Sequence, residues 1–224
     1  MINRFARAVA AFARKSRKLS AKGPRRKKHM APPLWWLTDS DRMDARSVAE
    51  AVVCLPPGSA VVIRHRDQKV RKKWVEDVAP VCRRRRLVLL VAEDIDAAIA
   101  HNCDGFHAPE TMVRKGLPCR LRLWLKSKRR QLSVAAHDER AVRGARIPNV
   151  IEADAVMIAP VLPTLSHPGR AALGPIRFAR LAQLARGRAV ALGGIDARTL
   201  RRLNGIRIGG VAGIGFAVAR RQND

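Results

Sequence analysis

The sequence predicts an α/β protein: a (β/α)8 or TIM barrel preceded by a basic N-terminal extension. Two observations favour this fold. Short apolar runs alternate with amphipathic helical segments, which is typical of a parallel sheet. Eight such runs follow one another, and eight strand–helix units close a barrel. We assign residues 1–33 to the extension and its linker, and residues 34–224 to the barrel.

The eight predicted strands are short runs dominated by Val, Leu, Ile and Ala, the composition of parallel strands buried on both faces. The chain contains 4% aromatic residues and no Tyr, so aliphatic side chains must fill the core. The predicted strands are Leu34–Leu37, Ala60–Ile63, Leu87–Ala92, Gly105–Ala108, Leu132–Ala135, Ala155–Val161, Ala189–Leu192 and Gly210–Phe216.

Apolar residues at helical spacing predict helices between most of these strands. One helix begins at Asp44, and another carries Trp74 and ends near Pro80. A helix start is also predicted around Asp196, which is placed to act as its N-cap. The fourth unit, residues 111–130, is the least regular and is expected to be mostly loop.

The chain is strongly basic, with 45 Lys and Arg against 18 Asp and Glu, for a formal net charge of +27. Eleven of these cations and no acidic residue lie within the first 30 residues. There, Phe5, Val9 and Phe12 fall at helical spacing, which predicts a basic amphipathic helix over residues 1–18. The extension could bind anionic membrane or nucleic acid, or target the protein. It could instead be a solvated appendage, or result from an upstream start codon with the working start at Met30. We favour these last two interpretations.

The four cysteines, Cys54, Cys82, Cys103 and Cys119, include no Cys-x-x-Cys pair, which argues against a zinc site. They lie in or beside apolar segments, and we expect them to be reduced and buried. No apolar run approaches the roughly 20 residues that span a bilayer. These features predict a cytoplasmic protein.

Active sites of such barrels lie at the carboxyl ends of the strands. The residues at the carboxyl ends of the predicted strands are cations, acids, histidines and small loop-forming residues, which suit an anionic small molecule. Glycine-rich loops after the last strands can hold a phosphate with backbone N–H groups. These rim residues are Thr38, Asp39, Arg64, His65, Arg66, Glu93, Asp94, His107, Glu110, His137, Thr164–Gly169, Gly193, Gly194, Gly213 and Gly215.

Several motifs occur in a fixed order along the barrel. They are Trp36-Leu37-Thr38-Asp39, Val62-Ile63-Arg64, Asp104-Gly105-Phe106-His107, Ala135-Ala136-His137, Pro160-Val161-Leu162-Pro163-Thr164, Ala191-Leu192-Gly193-Gly194-Ile195 and Gly210-Val211-Ala212. From about Leu34 to Val218 the chain thereby resembles the thiamine phosphate synthase and thiazole tautomerase (TenI) superfamily.

The resemblance implies a retained site for a thiazole phosphate. Its phosphate-binding residues would be Thr164, Ser166, Gly193, Gly194, Ile214 and Gly215, with His167 at the family's Lys position. The family's catalytic histidine corresponds to His137, and Arg64 is kept from the strand-two motif. We expect His137 to transfer a proton, Arg64 to hold a carboxylate and Arg66 to hold an anion.

The resemblance also implies that the metal and diphosphate side is largely lost. Val62 stands at the family's Gln, Ala92-Glu93 at its Asn-Asp, Met112 near its second metal-binding Asp, and Ala135 at its Ser. Glu93 is the best remaining metal ligand, and a single carboxylate makes a poor Mg²⁺ site. We assign no cofactor, and Mg²⁺ would be needed only by a synthase.

This pattern favours a thiazole tautomerase-like protein that binds a small phosphorylated thiazole and uses histidine acid/base chemistry. One alternative is a synthase that couples a pyrimidine diphosphate to thiazole phosphate with a remodelled Mg²⁺ site. Another is a non-catalytic binder of these precursors. A third is a nucleic-acid or membrane-surface protein, suggested by the basic extension, Arg83–Arg86 and Lys126–Arg130. The oligomeric state is left open.

Overall fold

Eight parallel strands form a closed barrel. The computed structural model describes residues 2–18, 31–128, 130–147, 151–164 and 171–217. The strands are β1 (Leu34–Leu37), β2 (Ala60–Ile63), β3 (Val88–Ala92), β4 (Gly105–Ala108), β5 (Gln131–Ala136), β6 (Ala155–Ile158), β7 (Ala189–Leu192) and β8 (Gly210–Gly213). Each pairs with its neighbours in chain order, and β1 pairs with β8, where Trp35 faces Ala212. The predicted TIM barrel is confirmed.

Helices surround the barrel and occupy most of the connections between strands. They are α1 (Ile2–Lys18), α2 (Ala45–Cys54), α3 (Gln68–Arg84), α4 (Ile95–Ala100), α5 (Glu110–Lys115), α6 (Cys119–Ser127), α7 (Glu139–Gly144) and α8 (Gly174–Leu184). A 3-10 helix, Thr199–Leu203, precedes β8, and the two-residue strands Arg146–Ile147 and Ile151–Glu152 pair between α7 and β6. Asp44 caps the start of α2, where a helix start was predicted. Its carboxylate accepts from the Ser47 N–H at 2.8 Å, and Ser47 Oγ accepts from the Asp44 N–H.

Two predicted connections were wrong. Helix α3 continues past Pro80 to Arg84, and its buried side chains extend to Cys82; packing against the barrel outweighs the hydrogen bond that Pro80 cannot donate. Residues 111–130 contain α5 and α6 instead of mostly loop, because Val113, Leu121 and Trp124 supply buried faces. The helix predicted to start around Asp196 is present as the 3-10 helix Thr199–Leu203.

Two strands end earlier than predicted. Strand β6 ends at Ile158 rather than Val161, and β8 ends at Gly213 rather than Phe216. Pro160 has no N–H to offer a strand ladder, and Val161 instead donates to the Leu192 carbonyl at 2.9 Å. The released residues form loops at the carboxyl end of the barrel.

The four free cysteines form two groups that differ in burial. Cys82 and Cys103 are buried free thiols, and burial raises the pKa of each to about 12. Cys54 and Cys119 are free but exposed, so the expectation of four buried cysteines was wrong for these two. Both lie at the ends of outer helices, where apolar sequence neighbours do not ensure burial.

The amphipathic helix predicted in the N-terminal extension is confirmed as α1, but it is not a solvated appendage. Phe5 and Val9 are 4% and 1% exposed, and α1 packs against β1 and β8. In a regular barrel this place belongs to the helix that follows the eighth strand. Residues 19–30, which include the predicted linker and Met30, lie outside the described residues. Among the helices described, none is long and apolar enough to cross a membrane.

Candidate active site at the carboxyl end of the barrel

The carboxyl ends of all eight parallel strands meet at one end of the barrel, and most predicted site residues follow these ends. Arg64 and Arg66 follow β2, and Glu93 follows β3. His137 follows β5, and Thr164 belongs to the loop after β6. The remaining described ones, after β7 and β8, are Gly193, Gly194, Ile214 and Gly215. Ser166 and His167 lie outside the described residues.

Arg64 is fixed against Thr38 by three hydrogen bonds. The Thr38 hydroxyl donates to the Arg64 carbonyl at 2.7 Å and accepts from the Arg64 N–H at 2.8 Å. The Arg64 Nε donates to the Thr38 carbonyl at 2.6 Å. These bonds join the ends of β1 and β2 and orient the guanidinium. They use Nε, so recognition of an anion would fall to the two terminal nitrogens.

Acidic side chains accompany both arginines of this loop. Arg64 Nη2 lies 4.0 Å from Asp39 Oδ2, and Arg66 Nη2 donates to Asp41 Oδ2 at 2.9 Å. Burial lowers the pKa of Arg64, and the nearby carboxylates, first Asp39, partly offset this. The Arg66 side chain is 81% exposed and already paired. Of the two arginines, Arg64 is therefore the less exposed and the more firmly oriented.

A histidine–serine pair lies between β4 and β5. His107 Nδ1 is 2.8 Å from Ser133 Oγ, and His107 is 8% exposed. Burial, followed by the charge of Arg64, lowers the pKa of His107 to about 3. His107 is consequently neutral at physiological pH and serves as a hydrogen-bonding group, not as a cation. Sequence reasoning placed His107 on the rim but missed Ser133, which is a lone hydroxyl in an apolar strand.

His137 is held by a carboxylate. Its Nδ1 lies 2.7 Å from Glu110 Oε2, and its backbone N–H donates to the same oxygen at 3.0 Å. An ionised carboxylate can only accept hydrogen bonds, so the imidazole carries its proton on Nδ1. Within the described chain the ring makes no second hydrogen bond, and about a third of the side chain is exposed. Nε2 is thus the nitrogen available for proton exchange.

Glu110 is itself part of a larger charged network. Its Oε1 accepts from Arg114 Nε at 2.7 Å, and Arg114 Nη2 also pairs with Asp138 at 2.7 Å. Burial opposes ionisation of Glu110, but the hydrogen bonds from His137 and Arg114 outweigh it and lower the pKa of this carboxyl. Glu110 was placed on the predicted rim without a role. Its position beside the strand-five histidine emerges only when β4 and β5 are paired.

The glycine pair after β7 packs against the loop after β6. Gly193 has φ +98°, and a Cβ there would lie 3.0 Å from two atoms of Pro160. Gly194 has φ +68°, and its Cβ would lie 2.4 Å from the Pro163 carbonyl oxygen. Leu162 N–H donates to the Gly193 carbonyl at 3.1 Å. Both glycines are therefore required sterically, and the close approach joins the two loops into one surface.

The same surface offers backbone donors. In the described part of the chain, the N–H groups of Gly193, Gly194 and Gly215 donate to no acceptor. The Thr199 hydroxyl donates to the Gly194 carbonyl at 3.0 Å, and the Asp196 carboxylate accepts from the Thr199 N–H at 2.7 Å. Asp196 therefore caps the turn that leads into the 3-10 helix. Adjacent free N–H groups are a common means of binding phosphate.

The residues present do not fit the Mg²⁺ site that the synthase side of the superfamily implies. Glu93 is exposed, and its nearest ion-pair partner is Arg71, at 3.8 Å. Near the family's second carboxylate the chain has Met112. Among the described residues no group of three His, Cys, Asp or Glu could hold a metal ion. No catalytic step is therefore assigned to a metal.

The two internal basic runs lie away from this surface. Arg83 and Arg84 end α3, and the run leads into the amino end of β3. Arg85 donates to the Leu55 carbonyl at 3.2 Å. Arg130 lies over the Trp124 ring, 4.2 Å from its centroid, and bonds the Asn102 side chain. Several of these cations thus support loops at the opposite end of the barrel.

Comparisons with known proteins agree with this architecture. The family model described as thiamine monophosphate synthase matches residues 34–216. Among solved structures, thiamine phosphate pyrophosphorylase from Pyrococcus furiosus is similar, with a TM-score of 0.62 and 17% identity over 83% of this chain and 86% of that one. KDPG aldolase from Legionella pneumophila is similar in fold, with a TM-score of 0.53 and 14% identity over 82% of this chain and 83% of that one.

The search of curated proteins gave no match. The family model, in contrast, spans the barrel from the first residue of β1 to Phe216, beyond the last strand. It includes the strand ends that carry Arg64, His137 and the paired glycine loops. The chain belongs to the thiamine monophosphate synthase family.

Proposed function

We propose that this protein binds a thiazole phosphate carboxylate and catalyses a metal-independent proton transfer, as a tautomerase-like member of its family. The single observation that carries this proposal is the 2.7 Å contact between His137 Nδ1 and Glu110 Oε2. It provides an oriented imidazole at the carboxyl end of the barrel. General acid–base catalysis requires such a group, held within reach of the substrate.

In the proposed reaction His137 Nε2 takes a proton from a ring carbon of the thiazole and returns a proton at another position. Substrate and product then have the same atoms, and no oxidant or leaving group is needed. Glu110 remains ionised throughout, stabilising the imidazolium while His137 carries both protons. Its bonds to Arg114 keep the carboxylate in place during the transfer.

The anionic ends of the substrate have separate proposed binding sites. The terminal nitrogens of Arg64 bind the carboxylate, since Nε is held by Thr38. The N–H groups of Gly193, Gly194 and Gly215 bind the phosphate, together with Thr164. Ser166 and His167 are assigned here by resemblance alone. Arg66 contributes to the positive potential of the entrance. We place the reaction in the cytoplasm, consistent with the four free cysteines.

A synthase is the second candidate, supported by the family to which the chain belongs. It would join a pyrimidine diphosphate to a thiazole phosphate and release pyrophosphate. The donor set at Glu93 and Met112 argues against it, because Mg²⁺ prefers carboxylates and phosphates in octahedral geometry. A precursor binder without turnover and a nucleic-acid or membrane-surface protein remain the alternatives for a chain that fails both assays.

The decisive experiment is proton exchange in D2O. The parent protein is incubated with thiazole phosphate carboxylate without metal, and ¹H NMR follows isomer interconversion and deuterium uptake. His137→Asn should abolish isomer interconversion and deuterium uptake but keep phosphate binding. His65→Asn, a change at another rim histidine, should leave interconversion and deuterium uptake intact. Turnover retained by His137→Asn would refute the assigned base. In a separate assay with a pyrimidine diphosphate, thiazole phosphate and Mg²⁺, pyrophosphate release by the parent would establish the synthase instead.

A further inference from the structure

Helix α1 reaches the carboxyl end of the barrel through one aromatic contact. The ring centroids of Phe5 and Phe216 are 5.0 Å apart, with the planes tilted by 46°. Phe216 belongs to the turn that directly follows β8, and Phe5 is almost fully buried. The contact therefore joins the start of the chain to the loop that carries Ile214 and Gly215.

The Phe216 ring also lies close to Gly213. A Cβ on Gly213 would lie 2.8 Å from Phe216 Cδ1, closer than such atoms approach. The missing side chain at Gly213 thus makes room for the ring, which occupies the space between β8 and α1. Without Phe5, one wall of this space would be lost, and the ring would have room to move.

The other end of the same turn is tied to β1. Trp36 Nε1 donates to the Ile214 carbonyl at 2.9 Å, and both groups are buried. The turn is thus anchored at Ile214 by Trp36 and at Phe216 by Phe5, with the exposed Gly215 between the two anchors. No clash or positive φ demands glycine at this position, since a Cβ there would meet nothing within 4 Å.

We propose that α1 is a positioning element of the phosphate site and that Phe5 acts through Phe216 to fix the turn that presents the Gly215 N–H. The proposal rests on the phosphate binding proposed above. It gives the N-terminal extension a role in ligand binding that depends on its apolar face. That face is covered by the barrel, so it is unavailable for insertion into a membrane while α1 is docked.

The test uses the full-length protein labelled with ¹⁵N, with inorganic phosphate at raised salt as the probe. The amide resonances of Gly215, Gly193 and Gly194 are followed during titration of the parent, Phe5→Ala, Phe5→Leu and Phe12→Ala. Phe12 lies on the same helix and is partly buried, but its ring makes no contact with Phe216 among the described residues. All three substitutions leave the net charge unchanged.

We expect Phe5→Ala to lose the phosphate-induced shift at Gly215 while keeping the shifts at Gly193 and Gly194. Phe5→Leu should retain part of the phosphate-induced shift at Gly215, and Phe12→Ala should show the same shift as the parent. An unchanged Gly215 response in Phe5→Ala, or equal losses in Phe5→Ala and Phe12→Ala, would overturn the role of Phe5. Failure of phosphate to shift any of the three glycines in the parent would instead overturn the proposed phosphate site, and this inference with it.

Discussion

His137 and Glu110 form a double contact across neighbouring strands: one carboxylate oxygen accepts from both the imidazole Nδ1 and the backbone N–H of His137. Glu110 begins the helix after β4, and His137 directly follows β5. The ring is thereby fixed relative to the backbone as well as to the carboxylate. Rotation about its side-chain bonds would break one hydrogen bond, so the geometry favours a single ring orientation.

Replacement of Glu110 by Gln keeps the size of the side chain but removes its charge. We expect kcat of the proton exchange to fall by about 10²-fold, because the imidazolium loses its stabilising partner. KM should change little, since Glu110 is not assigned to substrate binding. Steady-state kinetics in D2O measures both quantities.

Glu139→Gln is the matched control for this change. Glu139 also accepts from an arginine four residues along its helix, Arg143, at 2.7 Å, but it does not contact His137 among the described residues. The Glu139→Gln variant should keep the kcat of the parent protein. Equal losses in the two variants would mean that the charge network stabilises the fold without orienting the histidine.

Substitution of Arg64 by Gln tests the carboxylate site. The affinity for thiazole phosphate carboxylate should fall about 10- to 100-fold, because hydrogen bonds between charged groups contribute roughly 1.5–3 kcal/mol. Thiazole phosphate without the carboxylate should bind both proteins equally. Calorimetric titration of the two ligands provides the comparison, and Arg66→Gln, which alters an exposed and already paired arginine, should retain the discrimination.

His107 makes the stability of the barrel depend on pH. Its pKa of about 3 in the folded protein is below the ordinary value of about 6.5, so the unfolded chain binds the extra proton between these two pH values. Stability is therefore fully present above about pH 6.5 and decreases as the pH falls towards 3. The expected loss between pH 7 and pH 5 is about 2 kcal/mol.

Urea unfolding at several pH values checks this contribution. Between pH 7 and pH 5, the free energy of unfolding of the His107→Asn variant should fall by about 2 kcal/mol less than that of the parent, whatever the stability of the variant at pH 7. Ser133→Ala, which removes the hydrogen-bond partner but keeps the imidazole buried, should retain it. A parental pH dependence in His107→Asn would assign the acid sensitivity to other groups.

Gly194→Ala should damage both stability and phosphate binding. The φ of +68° costs an alanine about 1 kcal/mol, and the approach to the Pro163 carbonyl adds a further ~2 kcal/mol of overpacking. Gly205→Ala measures the cost of the positive φ alone, since Gly205 has φ +85° but open space around it. Thermal unfolding and phosphate titration of both variants separate strain from clash. Equal losses of stability in Gly194→Ala and Gly205→Ala would show that the loops after β6 and β7 move apart easily to accommodate the added methyl group.

Much of the barrel follows from the sequence, because periodicity and composition are local signals. Four strands, including Leu34–Leu37 and Gly105–Ala108, have the predicted bounds. The errors arise where tertiary contacts override local preference. Pro80 would end an isolated helix, yet Val78 and Cys82 on either side of it are buried against the barrel. In the irregular fourth unit, Pro109 and Pro118 occupy the N-cap positions of α5 and α6, and neither helix has a side-chain cap hydrogen bond.

The candidate site was predictable in position but not in detail. A parallel barrel brings strand ends together whatever their residues, so Arg64 and the glycine loops could be placed in advance. The contact of Glu110 with His137 could not, since it depends on the register between β4 and β5 and on side-chain rotamers. For the same reason the steric need for glycine at Gly194 is visible only beside Pro163.

The pairing of β1 with β8 has a consequence for synthesis of the chain on the ribosome. Trp35 is among the first barrel residues translated and Ala212 among the last, so closure waits for almost the whole sequence to emerge. Until then Phe5 and Val9 lack the part of their packing surface that β8 provides, and the β1 edge is open to wrong pairing. A nascent chain of this protein thus needs protection at its leading end for longer than at any later segment.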